Sequence, residues 1–156
     1  MSHRHIPNFI DPALATYYMS ELESGLEWCP FAPAPKSRLV CQWENKHRFA
    51  DDIIVQLIQN LEQKEGKVVG VFLNLYRTGE DYCPYHKDRY GTDNYTLSLG
   101  ATRDFLIQSD DKSETIKYES ASGDLYYMAN SLHDNYKHSI PKRKKVGEKC
   151  ISILFY

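Results

Sequence analysis

The chain has 156 residues, of which 42% are hydrophobic and 26% charged, and its formal net charge at pH 7 is −2. These values are typical of a globular protein with one domain, 1–156, that is large enough to bury a core. The mildly negative charge argues against a protein that coats nucleic acid through bulk electrostatics. No apolar run approaches membrane-spanning length, and the N-terminus has no apolar signal region. The sequence therefore predicts a cytoplasmic or nuclear protein with no membrane association.

The cysteines are scattered and show no Cys-x-x-Cys spacing; they are Cys29, Cys41, Cys83 and Cys150. In a chain without a secretory signal, this pattern indicates reduced thiols rather than a disulfide framework. A compact single domain of this length also predicts a monomer.

Two helices are predicted in the first half of the chain. Asp11 and Pro12 form a good helix start, with an acidic N-cap and proline at the first helical position, and Gly25 fits the end. A second apolar repeat at helical spacing predicts a helix over 51–65, closed by Gly66. We expect both helices to cover one side of a sheet.

Strands dominate the rest of the chain. A short strand is predicted at 38–43, and no stretch after residue 67 has a convincing helical period. Strand patterns separated by turn residues lie at 68–76, 95–99, 103–108, 115–119, 124–129 and 150–155. Two helices followed by a run of short strands predict an α+β fold whose β part is a jelly roll or a similar double sheet.

The segment 72–88, FLNLYRTGEDYCPYHKD, carries the most informative chemistry. It ends with His86 and Asp88, whose spacing on an extended backbone directs an imidazole and a carboxylate to the same side. A further histidine lies about fifty residues later, within His133 to His138. Two histidines and one carboxylate are the facial triad that binds non-haem Fe(II) and leaves metal positions open.

Five segments now occur in a recognisable order. They are NLY at 74–76 with Gly79, HKD at 86–88, SLGATRDF at 98–105, SGDL at 122–125 with Met128, and HSIPK at 138–142. This set resembles the AlkB family of Fe(II)- and 2-oxoglutarate-dependent dioxygenases. The likeness covers about the last 90 residues and extends loosely to IPNFID at 6–11.

The resemblance implies a double-stranded β-helix, and the two helices predicted above are expected to pack on one side of it. It also implies that Fe(II) is held by His86, Asp88 and His138, while 2-oxoglutarate and O2 serve as cosubstrates. His138 is preferred to His133 because the family's distal histidine precedes Ser, an aliphatic residue and Pro. His133 is then expected to be an exposed loop histidine.

Family members hydrogen-bond 2-oxoglutarate through an asparagine and a tyrosine, which match Asn74 and Tyr76. Such a member converts the cosubstrate to succinate and carbon dioxide and hydroxylates a C–H bond. On an N-methylated base the product releases formaldehyde. The implied function is oxidative demethylation of N-alkylated bases in DNA or RNA, with single-stranded nucleic acid as the partner.

The first departure from the family concerns the cosubstrate. Members end in Arg-x-Asn-Leu-Thr-Phe-Arg, whose arginines clamp the carboxylates, but this chain has Cys150 and Tyr156 there and Ser152 at the asparagine position. Neither replacement supplies the charge of a bidentate guanidinium. Lys149 is adjacent, although a one-residue shift reverses the face of a strand, and Lys149 and Ser152 remain the candidates for cosubstrate binding. Other cations that could serve are Arg103, Lys144 and Lys145.

The second departure concerns the substrate. Repair members often carry an acid just after the metal-binding Asp, where this chain has Arg89, whereas Arg103 matches a residue on the family's substrate side. Arg89 and Arg103 are therefore the candidates for substrate binding. The section 31–43 lies where a base-flipping lid would be, with Phe31, Arg38 and Trp43 available.

Three hypotheses remain at this point. The first is a dioxygenase that demethylates nucleic acid, supported by basic residues crowded near the C-terminus, which track phosphates or form a solvated loop. The second keeps the chemistry but acts on a protein or small molecule, in line with Arg89 and the net charge. The third is a binding protein without catalysis, because the usual 2-oxoglutarate arginines are missing.

Overall fold

The computed structural model describes residues 2–156. Helix α1 (Pro12–Gly25) has the predicted bounds, and the Asp11 side chain caps it by accepting a hydrogen bond from the Ala13 amide at 2.8 Å. Helix α2 (Phe49–Lys64) begins two residues before the predicted start. Neither helix within the described range has the length and apolar character needed to cross a membrane.

The early start of α2 depends on Asp51, whose side chain is fully buried. Its carboxylate accepts hydrogen bonds from the backbone amides of Lys46 and Arg48, each at 3.0 Å, and from the Trp43 indole at 2.9 Å. The Arg48 guanidinium adds two more at 2.9 and 3.0 Å. Hydrogen bonds to Arg48 outweigh the cost of burial and hold the pKa of Asp51 well below its usual range.

Replacing Asp51 with asparagine is expected to lower the free energy of unfolding by about 3 kcal/mol at neutral pH, because it leaves part of a buried network unpaired. Since the folded-state pKa is depressed, the carboxylate stabilises the fold above its unfolded pKa, and that stabilisation is lost as the pH falls. The difference between wild type and D51N should narrow below about pH 4. Urea unfolding of both proteins at several pH values measures this difference in the free energy of unfolding.

The neighbouring Asp52 provides the control, because it is exposed in the same helical turn. D52N should cost no more than about 0.5 kcal/mol, the size of a helix-dipole effect at the surface. Equal losses in D51N and D52N would contradict the assignment of a buried network to Asp51.

Residues 2–156 form eleven strands in two sheets. The strands are β1 (His3–Ile6), β2 (Cys29–Pro30), β3 (Leu39–Gln42), β4 (Val71–Tyr76), β5 (Cys83–His86), β6 (Asn94–Gly100), β7 (Arg103–Ser109), β8 (Thr115–Ser120), β9 (Leu125–Met128), β10 (Tyr136–Ile140) and β11 (Cys150–Phe155). The large sheet has the order β1-β9-β6-β11-β4-β3-β2, and the small sheet has the order β5-β10-β7-β8. All pairings are antiparallel. This arrangement agrees with the predicted α+β jelly roll.

Two apolar clusters form the core. The first joins both helices to the large sheet, with Leu22 and Ile54 packed among residues such as Leu73, Leu97 and Ile153. The second cluster lies between the two sheets and is rich in aromatic and sulfur-containing side chains. It includes Tyr76, Cys83, Phe105, Tyr126, Met128 and Cys150. The space between the sheets is therefore a packed layer that also positions the polar residues described below.

The strands that the sequence did not predict are β1, β2, β5 and β10. Strand β5 contains Pro84, which cannot donate to a ladder, and it lies at the edge of the small sheet, where proline is tolerated. Strand β4 begins at Val71 rather than at residue 68. The amides of Val69 and Gly70 both donate to the Tyr156 carbonyl, at 2.6 and 3.0 Å, so the ladder is irregular before Val71.

The turn after β4 is closed by a second loop. The Gly79 amide donates to the Val146 carbonyl at 2.7 Å, and the Arg143 amide donates to the Gly79 carbonyl at 2.8 Å. A Cβ atom at Gly79 would lie 1.8 Å from the Arg143 carbonyl oxygen, which only glycine avoids. This contact fixes the loop after β10 against the turn that precedes β5.

Candidate metal centre and adjoining cavity

Strands β5 and β10 bring the three predicted metal ligands together. His86 and His138 are directly paired in the sheet register, and their ring centroids are 4.2 Å apart. Asp88 follows β5, and its carboxylate oxygens lie 3.1 Å from Nε2 of His138 and 3.4 Å from Nε2 of His86. One ligand atom from each residue falls within 4.8 Å of the others. The two His and one Asp are thus arranged around one point, as a facial triad requires.

The backbone around β5 orients the His86 ring. Its Nδ1 lies 2.8 Å from the Pro84 carbonyl oxygen, so Nδ1–H donates there and Nε2 is left as the ligand atom. The Cys83 sulfur also lies 3.5 Å from Nδ1. On the opposite strand, the Phe105 ring stacks on His138 with a centroid distance of 5.6 Å. Both imidazoles are therefore held in place by the protein alone.

Asp88 is oriented by Asn94, which the sequence analysis did not single out. The buried Asn94 amide donates to the Asp88 carboxylate at 3.1 Å and lies 3.3 Å from Nε2 of His133. The expectation that His133 is an exposed loop residue is wrong. Its side chain is 4% exposed, in a 3-10 helix (Asn130–Asp134), with its ring 5.5 Å from that of His138. His133 therefore contacts Asn94, which orients Asp88, and is not one of the three clustered ligands.

The three triad residues differ in the direction of their pKa shifts. Burial disfavours charge on Asp88, but hydrogen bonds from His138 and His86 outweigh it and hold the Asp88 pKa well below its usual range. Burial also opposes protonation of His86, yet its hydrogen bonds to Asp88 and Cys83 raise its pKa to about 10. Burial is decisive for His138 and lowers its pKa. A metal must therefore compete with a proton at His86, while Asp88 is already ionised.

A cavity of about 260 Å³ opens beside the triad, between the two sheets. Asn74, Tyr76 and Ser152 line it on the large sheet, where Asn74 pairs with Ser152 in the strand register. The Asn74 amide donates to the Ser152 hydroxyl at 3.3 Å. Three of the four predicted cosubstrate residues thus lie in one cavity with the triad.

Arg38 is a cavity residue whose role differs from the predicted one in a lid. Its side chain is 5% exposed, and its Nε donates to the Asn74 side-chain oxygen at 2.6 Å. Its guanidinium carbon lies 4.1 Å from the centroid of the Phe31 ring, which also lines the cavity. Trp43 instead packs against the helix side of the large sheet and donates to Asp51. The section 31–43 therefore contributes Phe31 and Arg38 to the wall of the cavity, whereas Trp43 does not line it.

Lys149 does not lie in the cavity, which corrects the prediction that it helps to bind the cosubstrate. It is exposed, pairs with Glu23 of α1, and lines a separate groove beside Thr16 and Met19. The alternation of β11 explains this, because Cys150 takes the buried position next to Lys149. Burial raises the pKa of the Cys150 thiol to about 12, so it carries no charge.

Arg103 is also displaced from its predicted role on the substrate side. The side chain is 1% exposed, and its guanidinium donates to the backbone carbonyls of Asp81 at 2.6 Å, Pro141 at 2.9 Å and Thr78 at 3.3 Å. These contacts tie together the loops that flank β5 and β10. Arg103 therefore acts as an internal brace that does not line the cavity. Arg89, by contrast, is exposed on the loop after the triad aspartate.

The basic residues near the C-terminus are divided between ion pairs and open solvent. Arg143 lies 3.6 Å from Asp104 and 3.8 Å from Glu119, and Lys142 lies 3.9 Å from Glu80. Lys144 and Lys145 are exposed in the loop between β10 and β11. Neither lines the cavity, so neither replaces the missing arginines there.

The chain is similar in sequence to known demethylases. It is 29% identical over 98 residues to the DNA oxidative demethylase ALKBH2 of Bos taurus, covering 54% of this chain and 35% of that protein. Against the DNA oxidative demethylase ALKBH2 of Mus musculus it is 25% identical over 119 residues, covering 65% of this chain and 50% of that protein. The chain thus spans between a third and a half of the length of these curated relatives. No protein-family model matches it.

Solved structures show the same fold. A Pseudomonas putida prolyl-4-hydroxylase superposes with a TM-score of 0.65 at 14% identity, over 99% of this chain and 91% of that one. The structure of OsALKBH1 superposes with a TM-score of 0.62 at 15% identity, over 99% of this chain and 97% of that one. An oxidoreductase of the 2OG-Fe(II) oxygenase family from Burkholderia pseudomallei superposes with a TM-score of 0.67 at 12% identity, over 99% of this chain and 84% of that one. The predicted resemblance to the AlkB family of Fe(II)- and 2-oxoglutarate-dependent dioxygenases is thus confirmed in sequence and in fold.

Proposed function

We propose that this protein is an Fe(II)- and 2-oxoglutarate-dependent dioxygenase that demethylates N-alkylated bases in single-stranded DNA or RNA. The observation that carries the proposal is the convergence of His86, Asp88 and His138 at the wall of a cavity that Asn74 and Tyr76 also line. Relatives in sequence that are named DNA oxidative demethylases support the reaction type.

The residues present fit the implied metal. An ionised carboxylate and imidazoles whose Nε2 atoms face it are the ligand types of a non-haem iron site with open positions. When bound, iron with 2-oxoglutarate and O2 would supply the oxidation of a C–H bond. Asn94 and the Pro84 carbonyl hold the ligands in position, so the protein contributes geometry at little reorganisation cost.

The remaining walls of the cavity suit a planar substrate. Tyr90 lines the cavity yet is 40% exposed, so it lies on the open side. Its ring stacks on Tyr156 at a centroid distance of 3.7 Å and an interplanar angle of 5°. Phe72 and Leu154 provide apolar wall. A fixed aromatic face beside a metal site supports recognition of an extruded base, which stacks on aromatic side chains in many nucleic-acid enzymes.

The experiment has two stages. Anaerobic titration of the Fe(II)-loaded protein with 2-oxoglutarate should give a saturable charge-transfer absorption. Air-saturated protein should then form succinate and formaldehyde in equal amounts with a single-stranded oligonucleotide carrying an N-methylated base, and neither above background with the same oligonucleotide unmethylated. Binding of the oligonucleotide should weaken as salt rises.

Each stage has a result that contradicts the proposal. Iron bound without a charge-transfer band would indicate a binding protein that has lost its cosubstrate. A band together with no product from methylated DNA or RNA would favour a second candidate, a dioxygenase acting on a protein or small-molecule substrate. The specific observation for that candidate is the exposed, cationic Arg89 directly after the triad aspartate.

A further inference from the structure

Arg38 is a buried cation without a carboxylate partner in the part of the chain that the structure describes. Its hydrogen bonds go to neutral groups, namely the Asn74 side-chain oxygen at 2.6 Å and the Ser37 hydroxyl at 3.2 Å. None of the carboxylates of residues 2–156 lies within 4.0 Å of the guanidinium. A buried guanidinium without a counter-charge is costly, which argues that an anion reaches it in the working protein.

The place of Arg38 in the large sheet matches the position where a cation is missing. In the register of β11 and β4, Cys150 pairs with Tyr76, and in the register of β4 and β3, Leu75 pairs with Leu39. One further step along that second register places Arg38 opposite Tyr76. Cys150, which stands at the position of a family arginine, and Arg38, the residue directly before β3, thus flank Tyr76 in one row.

The guanidinium is fixed at the cavity wall by contacts within the protein. The Phe31 ring covers one face at 4.1 Å, and Asn74 and Ser37 hold Nε and Nη1. Nη2 donates to no protein atom among residues 2–156, and Nη1 gives one of its two hydrogens to Ser37, so both terminal nitrogens keep a donor for a ligand. A planar, pre-oriented fork is the geometry that binds a carboxylate bidentately.

Within the described residues, Arg38 is also the one lysine or arginine that lines the cavity. The other cations considered from the sequence for the cosubstrate do not line the cavity. Arg103 braces loops, Lys149 pairs with Glu23 of α1, and Lys144 and Lys145 are exposed. A divalent metal and Arg38 carry three positive charges in total, and the Asp88 carboxylate and a dicarboxylate ligand carry three negative charges. The occupied site would therefore be formally neutral.

We propose that Arg38 binds the carboxylate of 2-oxoglutarate that is remote from the keto group, in place of the family arginine whose position Cys150 occupies. This inference rests on the proposed function and assigns the cosubstrate anchor to the residue directly before β3, on the other side of Tyr76 from β11. Asn74 then acts as a positioning residue for Arg38, since its side-chain oxygen holds Nε.

The test measures ligand affinity without turnover, in anaerobic Fe(II)-loaded protein, through the charge-transfer absorption. Two ligands are compared: 2-oxoglutarate, and 2-oxopentanoate, which has the same chain length but lacks the remote carboxylate. Wild type should prefer 2-oxoglutarate by about 100-fold or more, the range for a buried charged contact. R38Q should lose that preference, with affinity for 2-oxopentanoate changed less than about threefold.

Two further variants make the result specific. K144Q removes the same charge from an exposed loop and should leave both affinities as in wild type. R38K keeps the positive charge but loses the planar guanidinium, so it should retain part of the preference for 2-oxoglutarate over 2-oxopentanoate. It also replaces R38Q in the test if R38Q folds poorly. Unchanged Fe(II) affinity in both Arg38 variants would show that the triad is intact.

The outcomes separate this inference from the proposed function. If wild type binds 2-oxoglutarate and R38Q binds it equally well, the assignment of Arg38 is wrong and the proposed function stands. If R38Q weakens both ligands equally, Arg38 only supports the cavity wall, and the inference also fails. If R38Q spares 2-oxoglutarate but weakens a single-stranded oligonucleotide, Arg38 contacts a phosphate instead. If iron-loaded wild type binds neither ligand, both proposals fall.

Discussion

Replacing His86 with alanine is expected to lower succinate formation by about 1000-fold or more and Fe(II) affinity by at least about 100-fold, because loss of a ligand exceeds the effect of losing one supporting contact. The Nε2 atom of His86 lies 3.4 Å from Asp88, and its Nδ1 is held by the Pro84 carbonyl. A water molecule in the space left by H86A would not be held in the same way. Anaerobic titration with Fe(II) and an assay of succinate measure the two losses separately.

The control for H86A is H47N, which removes an exposed histidine far along the chain from the triad. His47 has a positive φ of 60°, a conformation that asparagine tolerates, so the substitution should not strain the backbone. H47N is expected to bind iron and form succinate as wild type does. Turnover that survived in H86A would show that the metal ligands have been assigned wrongly, whatever the fate of H47N.

Replacing Arg103 with methionine is expected to lower the free energy of unfolding by about 3–5 kcal/mol. The change fills much of the same volume, but it leaves the carbonyls of Thr78, Asp81 and Pro141 without their buried donor, and each such acceptor is costly. It also removes the guanidinium that lies 5.0 Å from the Tyr76 ring centroid. Urea unfolding at neutral pH measures the loss.

R143M provides the matched control, because it removes the same kind of charge from a side chain that is 34% exposed in two surface ion pairs. A loss of no more than about 1 kcal/mol is expected there. The comparison also distinguishes the two roles considered for Arg103. A stable R103M that bound Fe(II) as wild type does but bound substrate poorly would return Arg103 to the substrate side, against the contacts in the structure.

The two expectations follow from one feature of the fold. Strand β5 carries His86 at the edge of the small sheet, and the loop before it is held by Gly79 and Arg103 rather than by a second neighbouring strand. Loss of the brace in R103M should therefore weaken metal binding even where the protein remains folded. The triad is precise because these loop contacts, and not sheet pairing alone, fix the position of β5.

Local signals were sufficient for several elements. The bounds of α1 follow from the Asp11 cap, the proline after it and Gly25, all of which act within one or two turns of helix. Strand β11 matched its predicted bounds because its residues other than Ser152 are apolar, which is typical of a strand buried in the middle of a sheet. The spacing of His86 and Asp88 also needed no distant partner, whereas His138 was added by the resemblance to the AlkB family.

Other features were decided by contacts between segments distant in the sequence. The sequence predicted an exposed His133, but packing beside Asn94 and His138 buries it. Arg103 matched a family motif, yet three carbonyls from two loops fix its guanidinium away from the cavity. No pattern in the sequence shows which backbone carbonyls will face a buried arginine.

Residue identity and the resemblance to the AlkB family were enough to predict the class of fold, the three candidate metal ligands and the absence of the usual arginines. The source of a replacement charge depends on which strands become neighbours. Strand β3 lies beside β4, and only that pairing brings Arg38 to Asn74, 36 positions later in the chain. Tertiary structure decided it, because a strand's hydrogen-bonding partner is chosen by the packing of the whole sheet.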